Sequence, residues 1–96
     1  MYPGQFARIG PDSAVASTTI ITPPSDFFRI TGTTNIATIT PPPGNIATVI
    51  FVVATDGTVN TVTTGNIIRA AAIPINLVTM LVWSPITAKW YPGAIS

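Results

Sequence analysis

FRITGTTNIATITPPPGNIATVIFVVA, residues Phe28–Ala54, holds two runs of β-branched residues divided by three prolines and a glycine. Asn35-Ile36-Ala37-Thr38 returns as Asn45-Ile46-Ala47-Thr48, with Gly65-Asn66-Ile67 as a weaker echo. A solenoid would carry such a match forward at a fixed period. This one does not continue. The two copies read as one strand-start chemistry used twice: Asn ends a turn by bonding nearby backbone, and Ile-Ala-Thr begins a strand. The triple proline, Pro41–Pro43, has no N–H to give a ladder and breaks the chain between them. The second run, Thr48–Ala54, is almost continuously apolar, which suits a strand buried on both faces.

Working outward, the same alternation of β-branched runs and breaks covers the chain. Thr18–Thr22 stops at Pro23-Pro24, and Phe27–Thr31 stops at Gly32. Asp56-Gly57 predicts a hairpin turn, because both residues tolerate positive φ, with Thr58–Thr63 as the return strand. Gly65-Asn66 predicts another turn. Residues 67–73 fit either a strand or a helical turn. Leu77–Trp83 predicts a strong strand broken by Ser84-Pro85, and Thr87–Tyr91 a last one ending at Pro92-Gly93. Seven or eight short strands at this spacing predict an all-β fold, a compact, jelly-roll-like β-sandwich or barrel. Ten prolines leave little room for a long helix. Residues 1–17 lack sustained periodicity and read as an extended N-terminal arm, with 18–96 as a single β domain. Apolar Tyr2, Phe6 and Ile9 in that arm are explained if it lies on something.

Composition bears on what the surface is for. Charged residues are 7% of the 96, against about 25% in ordinary globular domains. There is no Glu; the charges are Lys89, Arg8, Arg29, Arg69, Asp12, Asp26 and Asp56. Thr, Ser and Asn take the place of the missing charges. So few charges supply little repulsion between copies. The surface is therefore expected to meet protein in the working state, the alternative being a monomer with a threonine-rich exposed face. A net charge of +1 gives no footprint for nucleic acid. The chain has no cysteine, hence no disulfide staple, and small domains without staples often oligomerise. The start, MYPGQFARIGPDSAVAS, does not read as a signal peptide, and the apolar stretch Ile46–Ala54 is too short to cross a bilayer as a helix.

Catalytic chemistry finds few carriers. Without His, Cys or Glu, one chain can build no Ser–His–Asp triad, cysteine nucleophile or glutamate acid–base pair. Lys89, beside Trp90, reads as a solubilising charge. Three dispersed Asp lack the spacing of a calcium loop, leaving an ion shared on a symmetry axis as the one metal route. The glycines are too scattered to cradle phosphate. The chain is read as a non-enzyme with no cofactor. The aromatics remain. Trp83 and Phe51 read as core. Trp90 and Tyr91, near the chain end between Pro85 and Pro92, read as a subunit or partner interface together with Lys89, Arg29 and Arg69.

Thr31–Ile39 (TGTTNIATI), Val49–Val53 (VIFVV), Asp56-Gly57, Thr64–Ile67 (TGNI) and Trp90-Tyr91 together resemble small β modules of tailed-bacteriophage virions. These include capsid decoration (cement) proteins and tail fibre or tailspike modules. The resemblance spans about two-thirds of the chain. It implies a homotrimer on a virion, assembled in the reducing host cytoplasm and exposed on the particle surface. The short chain with its own initial methionine favours a decoration protein, with major capsid protein or another virion protein as partner and neither nucleic acid nor membrane. Its docking arm would use Tyr2, Phe6, Arg8 and Ile9. A fibre or tailspike module binding host-surface glycan or protein is the alternative.

Overall fold

The computed structural model describes residues 13–94. Tyr2, Phe6, Arg8 and Ile9 lie outside the described residues. The strands are β1 (Ser13–Ala16), β2 (Ile20–Ile21), β3 (Phe27–Thr31), β4 (Thr38–Ile39), β5 (Thr48–Ala54), β6 (Val59–Asn60), β7 (Ala72–Ile73), β8 (Thr79–Ser84) and β9 (Lys89–Ala94). A 3-10 turn at Pro43–Asn45 is the one helical element among the described residues. The all-β expectation holds. The boundary of the arm moves, because Ser13–Ala16 is a strand of the main sheet.

The pairing differs from the expected succession of hairpins. One five-stranded sheet has the order β1-β3-β5-β8-β9, and two short ladders pair β2 with β4 and β6 with β7. β1, β3 and β5 run parallel, with Ser13 opposite Phe28 and Phe27 opposite Phe51. β2 and β4 are also parallel, with Ile20 opposite Thr38. The chain therefore winds from the large sheet to the small ladder and back, laying each pass beside the last. Only β8 and β9 join the large sheet antiparallel. The sheets stay open, with no closure into a barrel.

The Asp56-Gly57 hairpin does not form. β5 lies between β3 and β8, and β6 turns away to pair with β7. The reason is local. The Asp56 carboxylate accepts a hydrogen bond from the Gly32 N–H at 2.7 Å, so the dipeptide ties the corner after β5 to the corner after β3. Gly57 does not adopt the positive φ a tight hairpin needs, whereas Gly32 does, at 74°. At Gly32 a Cβ would lie 2.8 Å from Ser17 Oγ, and that oxygen accepts from the Thr34 N–H at 2.9 Å. Ser17, Gly32 and Asp56 thus lock three successive passes at one corner.

Burial alternates in β3 and β8, as period-2 side-chain geometry requires. Phe28 and Ile30, Ile50 and Val52, Leu81 and Trp83, and Trp90 share the inner face. They pack with Ile21, Ile36, Ile39, Val59, Ile67 and Ile73 from the opposite wall into one core. Each fully buried large side chain contributes about 1.5–3 kcal/mol. β5 follows the expectation at its C-terminal half, where Val52, Val53 and Ala54 are buried in succession. Thr61, buried on the opposite wall, is satisfied: its hydroxyl donates to the Arg69 carbonyl at 3.1 Å and accepts from the Ala71 N–H at 2.8 Å.

The two Asn-Ile-Ala-Thr copies each lead into a strand, at Thr38 and Thr48. Their surroundings differ. Ile36 is fully buried and bridges Thr61, while Ile46 is 63% exposed. Asn45, with φ of 50°, closes the turn after the triple proline, and its side-chain oxygen accepts from Trp83 Nε1 at 3.0 Å.

Candidate functional site

Trp90 is not an interface residue. It is 1% exposed, its indole N–H donates to the Ile39 carbonyl at 3.0 Å, and its ring lies 5.4 Å from that of Trp83 at a 56° tilt. Nearness to the chain end does not keep a residue out of the core when its strand is part of the sheet. Trp83 is core, as read from sequence. Phe51 is half-buried and points the other way, because Ile50 and Val52 take the inner positions of β5.

Lys89 and Arg69 are drawn into a seam rather than a patch. Segment 66–68 runs beside β9: Trp90 N–H donates to the Asn66 carbonyl at 2.8 Å, and Ile68 N–H to the Trp90 carbonyl at 3.0 Å. Lys89 Nζ donates to the Gly65 carbonyl at 3.1 Å at one end, and Arg69 Nη2 to the Pro92 carbonyl at 2.8 Å at the other. Pro92 sits in this edge strand with a ring nitrogen that has no proton to place. Inside the seam, the Asn66 amide bonds both backbone groups of Ile39, accepting its N–H at 2.9 Å and donating to its carbonyl at 2.7 Å. One side chain stands in for a missing strand residue.

The outer face of the five-stranded sheet carries apolar side chains aligned across its strands. Register places Val49, Val82 and Tyr91 in one row across three strands. Phe27, Phe51 and Met80 form the next. Val49 and Tyr91 are 38% and 37% exposed, and the others are half-buried. The Tyr91 hydroxyl bonds Thr87 Oγ1 at 3.0 Å. Arg29, the one expected interface cation on this face, holds its guanidinium 5.9 Å from the Phe27 ring. Tyr91 and Arg29 thus share the outer face, while Trp90 lies beneath it and Lys89 and Arg69 reach into the seam. Val82 and Met80 escaped the sequence reading, although Leu77–Trp83 is apolar at consecutive positions, the mark of a strand with two apolar faces.

A second feature is a cleft of about 270 Å³ where the 22–26 and 40–48 segments meet. Pro23, Pro24 and Pro41–Pro43 line it, Ile50 and Trp90 are inside it, and Asp26 is its one charged residue. Thr22 and Thr40 join their hydroxyls at 2.8 Å beside it. The sequence marked these prolines only as breaks. At the tip of the β8–β9 hairpin, closed by Ala88 N–H to the Ser84 carbonyl at 2.8 Å, Ile86 stands 96% exposed.

Among the described residues no group of three or more His, Cys, Asp or Glu is placed to hold a metal, and no helix is long and apolar enough to cross a membrane. No protein family, curated protein or solved structure matches this chain.

Proposed function

We propose that this chain is a structural virion protein, a capsid decoration (cement) protein that trimerises and stabilises a phage head by binding between capsid subunits. The observation that carries the reading is the outer sheet face, with the rows Val49–Val82–Tyr91 and Phe27–Phe51–Met80. Contiguous apolar surface on a chain with 7% charged residues marks a contact surface. The segment before Ser13 is the docking element toward the shell. A protein that binds only the assembled particle adds its binding free energy to that state.

One observation favours the fibre alternative. The parallel passes β1-β3-β5 end at β1, which would accept a further pass from a longer module. The test is solution mass with capsid co-sedimentation. The decoration reading expects a trimer that binds shells and not host cells, and loss of the trimer in Val82→Lys. A monomer at micromolar concentration sinks it, and binding to host cells but not shells selects the fibre module.

A further inference from the structure

A smaller cleft, of about 180 Å³, opens where segment 69–74 meets the ends of β8 and β9. Ala71, Ala72 and Pro74 come to it from that segment, Thr79 and Pro92 from the sheet, and Arg69 is its one charged residue. We propose that this cleft binds the carboxylate of a short aliphatic acid, held by the Arg69 guanidinium and the Thr79 hydroxyl.

Thr79 carries the argument first. The inward positions of β8 are Thr79, Leu81 and Trp83. Leu81 and Trp83 close the core, whereas Thr79 puts a hydroxyl where packing alone would take an apolar group. Three residues with hydroxyl side chains are buried: Ser17, Thr61 and Thr79. Ser17 accepts from the Thr34 N–H, and Thr61 bonds the Arg69 carbonyl and the Ala71 N–H. Thr79 is 7% exposed, and its hydroxyl has no hydrogen-bond partner among the described residues. No sealed side-chain polar atom among them lacks a partner, so this oxygen opens to the cleft that Thr79 lines. An unpartnered hydroxyl at that depth costs free energy, and a ligand oxygen that accepts its proton offsets the cost.

Arg69 supplies the charge. Its Nη2 donates to the Pro92 carbonyl at 2.8 Å, which fixes the guanidinium against β9. The rest of its five-donor fork meets no acceptor among the described residues and is free for a ligand. Carboxylates match this fork, and hydrogen bonds between charged partners are the stronger ones. No acidic residue lines the cleft to neutralise it. One cation and one neutral donor suit a single negative charge better than a phosphate dianion. Size sets the remainder of the ligand. The cleft has the liquid volume of about six waters, below pockets for drug-sized ligands at about 300–1,000 Å³. Alanine and proline walls suit a short alkyl chain. Propionate has this form, and so has the glutamate side chain of another protein; this chain has no Glu.

NMR titration of the full 96-residue chain with sodium propionate, at ionic strength held constant with sodium chloride, tests this without reference to trimer or capsid. The amide shifts of Ala71, Ala72 and Thr79 should saturate in the millimolar range, with the Trp90 indole N–H unmoved. Arg69→Gln should abolish saturation. Because it also removes the bond to Pro92, Thr79→Val is the second variant; it keeps the shape and the seam and should weaken binding about tenfold. Failure of the parent chain to saturate overturns the proposal, as does equal affinity in the parent and Thr79→Val. Inorganic phosphate binding more tightly than propionate overturns the carboxylate assignment. A capped glutamate binding more tightly than propionate upholds the site and assigns its ligand to a protein side chain; the reverse order upholds it as a site for a free acid.

Discussion

The two edges of the five-stranded sheet are finished differently. At β9, segment 66–68 covers the outer backbone groups, and Lys89 and Arg69 fasten it at either end. At β1, Ser13–Ala16 pairs with β3, and no other described strand lies on its far side. An edge of small neutral residues without charge, proline or bulge lacks the devices that discourage further pairing. The contrast shows that a sheet in a weakly charged chain can be closed by irregular backbone as well as by strands. It also shows that two of the chain's four basic residues, Lys89 and Arg69, are spent on that closure.

The largest way to break the covered edge is Trp90→Ala, which removes a buried indole, its bond to Ile39 and its contact with Trp83. A loss of about 3–5 kcal/mol in urea unfolding is expected. Tyr91→Ala, one residue away on the partly exposed outer face, should cost much less, about 1 kcal/mol. Equal losses would refute the inward and outward assignment of β9. Next is Asn66→Ala, which strips the Ile39 N–H of its acceptor and leaves the Ile39 carbonyl with the Trp90 indole alone; it should cost about 1–3 kcal/mol. Amide exchange at Ile39 and Trp90 should speed with it; unchanged exchange there would mean the seam does not depend on Asn66.

Asp56→Ala removes the bond to Gly32 at the corner, for about 1 kcal/mol, measured as a lower urea midpoint. The smallest effect is at the open edge. Ala14→Lys should stay within about 0.5 kcal/mol of the parent, and the amides of β1 should exchange faster than those of β9. Protection of β1 equal to that of β9 would show the edge to be covered after all and erase the comparison.

How far the sequence could be read follows from what each signal specifies. Phe27–Thr31 and Thr48–Ala54 were legible to the residue, because β-branched runs cut by glycine and proline mark where a strand can exist. Pairing was not legible. Alternation fixes which face a residue occupies, not which strand lies beside it, and the Asp56-Gly57 signal was diverted by a carboxylate bond to Gly32, remote in sequence. Trp83 was assigned correctly to the core; Trp90 was not, since burial depends on the covering segment 66–68, which has no regular pattern. On the outer face Tyr91 and Arg29 were picked out, whereas Val49, Met80 and Val82 emerge only once register aligns three strands.

Parallel winding also governs when this chain can become stable during its own synthesis. Parallel partners such as Phe27 and Phe51 must wait for intervening passes, and such non-local pairings form slowly. The Ile39 carbonyl waits for an indole 51 residues downstream. The one local ladder of the large sheet among the described residues, the β8–β9 hairpin, leaves the ribosome after the other described strands. Until it does, the inner faces of β3 and β5 have no Trp83 or Trp90 to pack against. The nascent chain is therefore expected to remain an unfinished, apolar sheet until β8 and β9 have emerged. It should close in a single step at that point, which makes the β8–β9 hairpin the timer of folding.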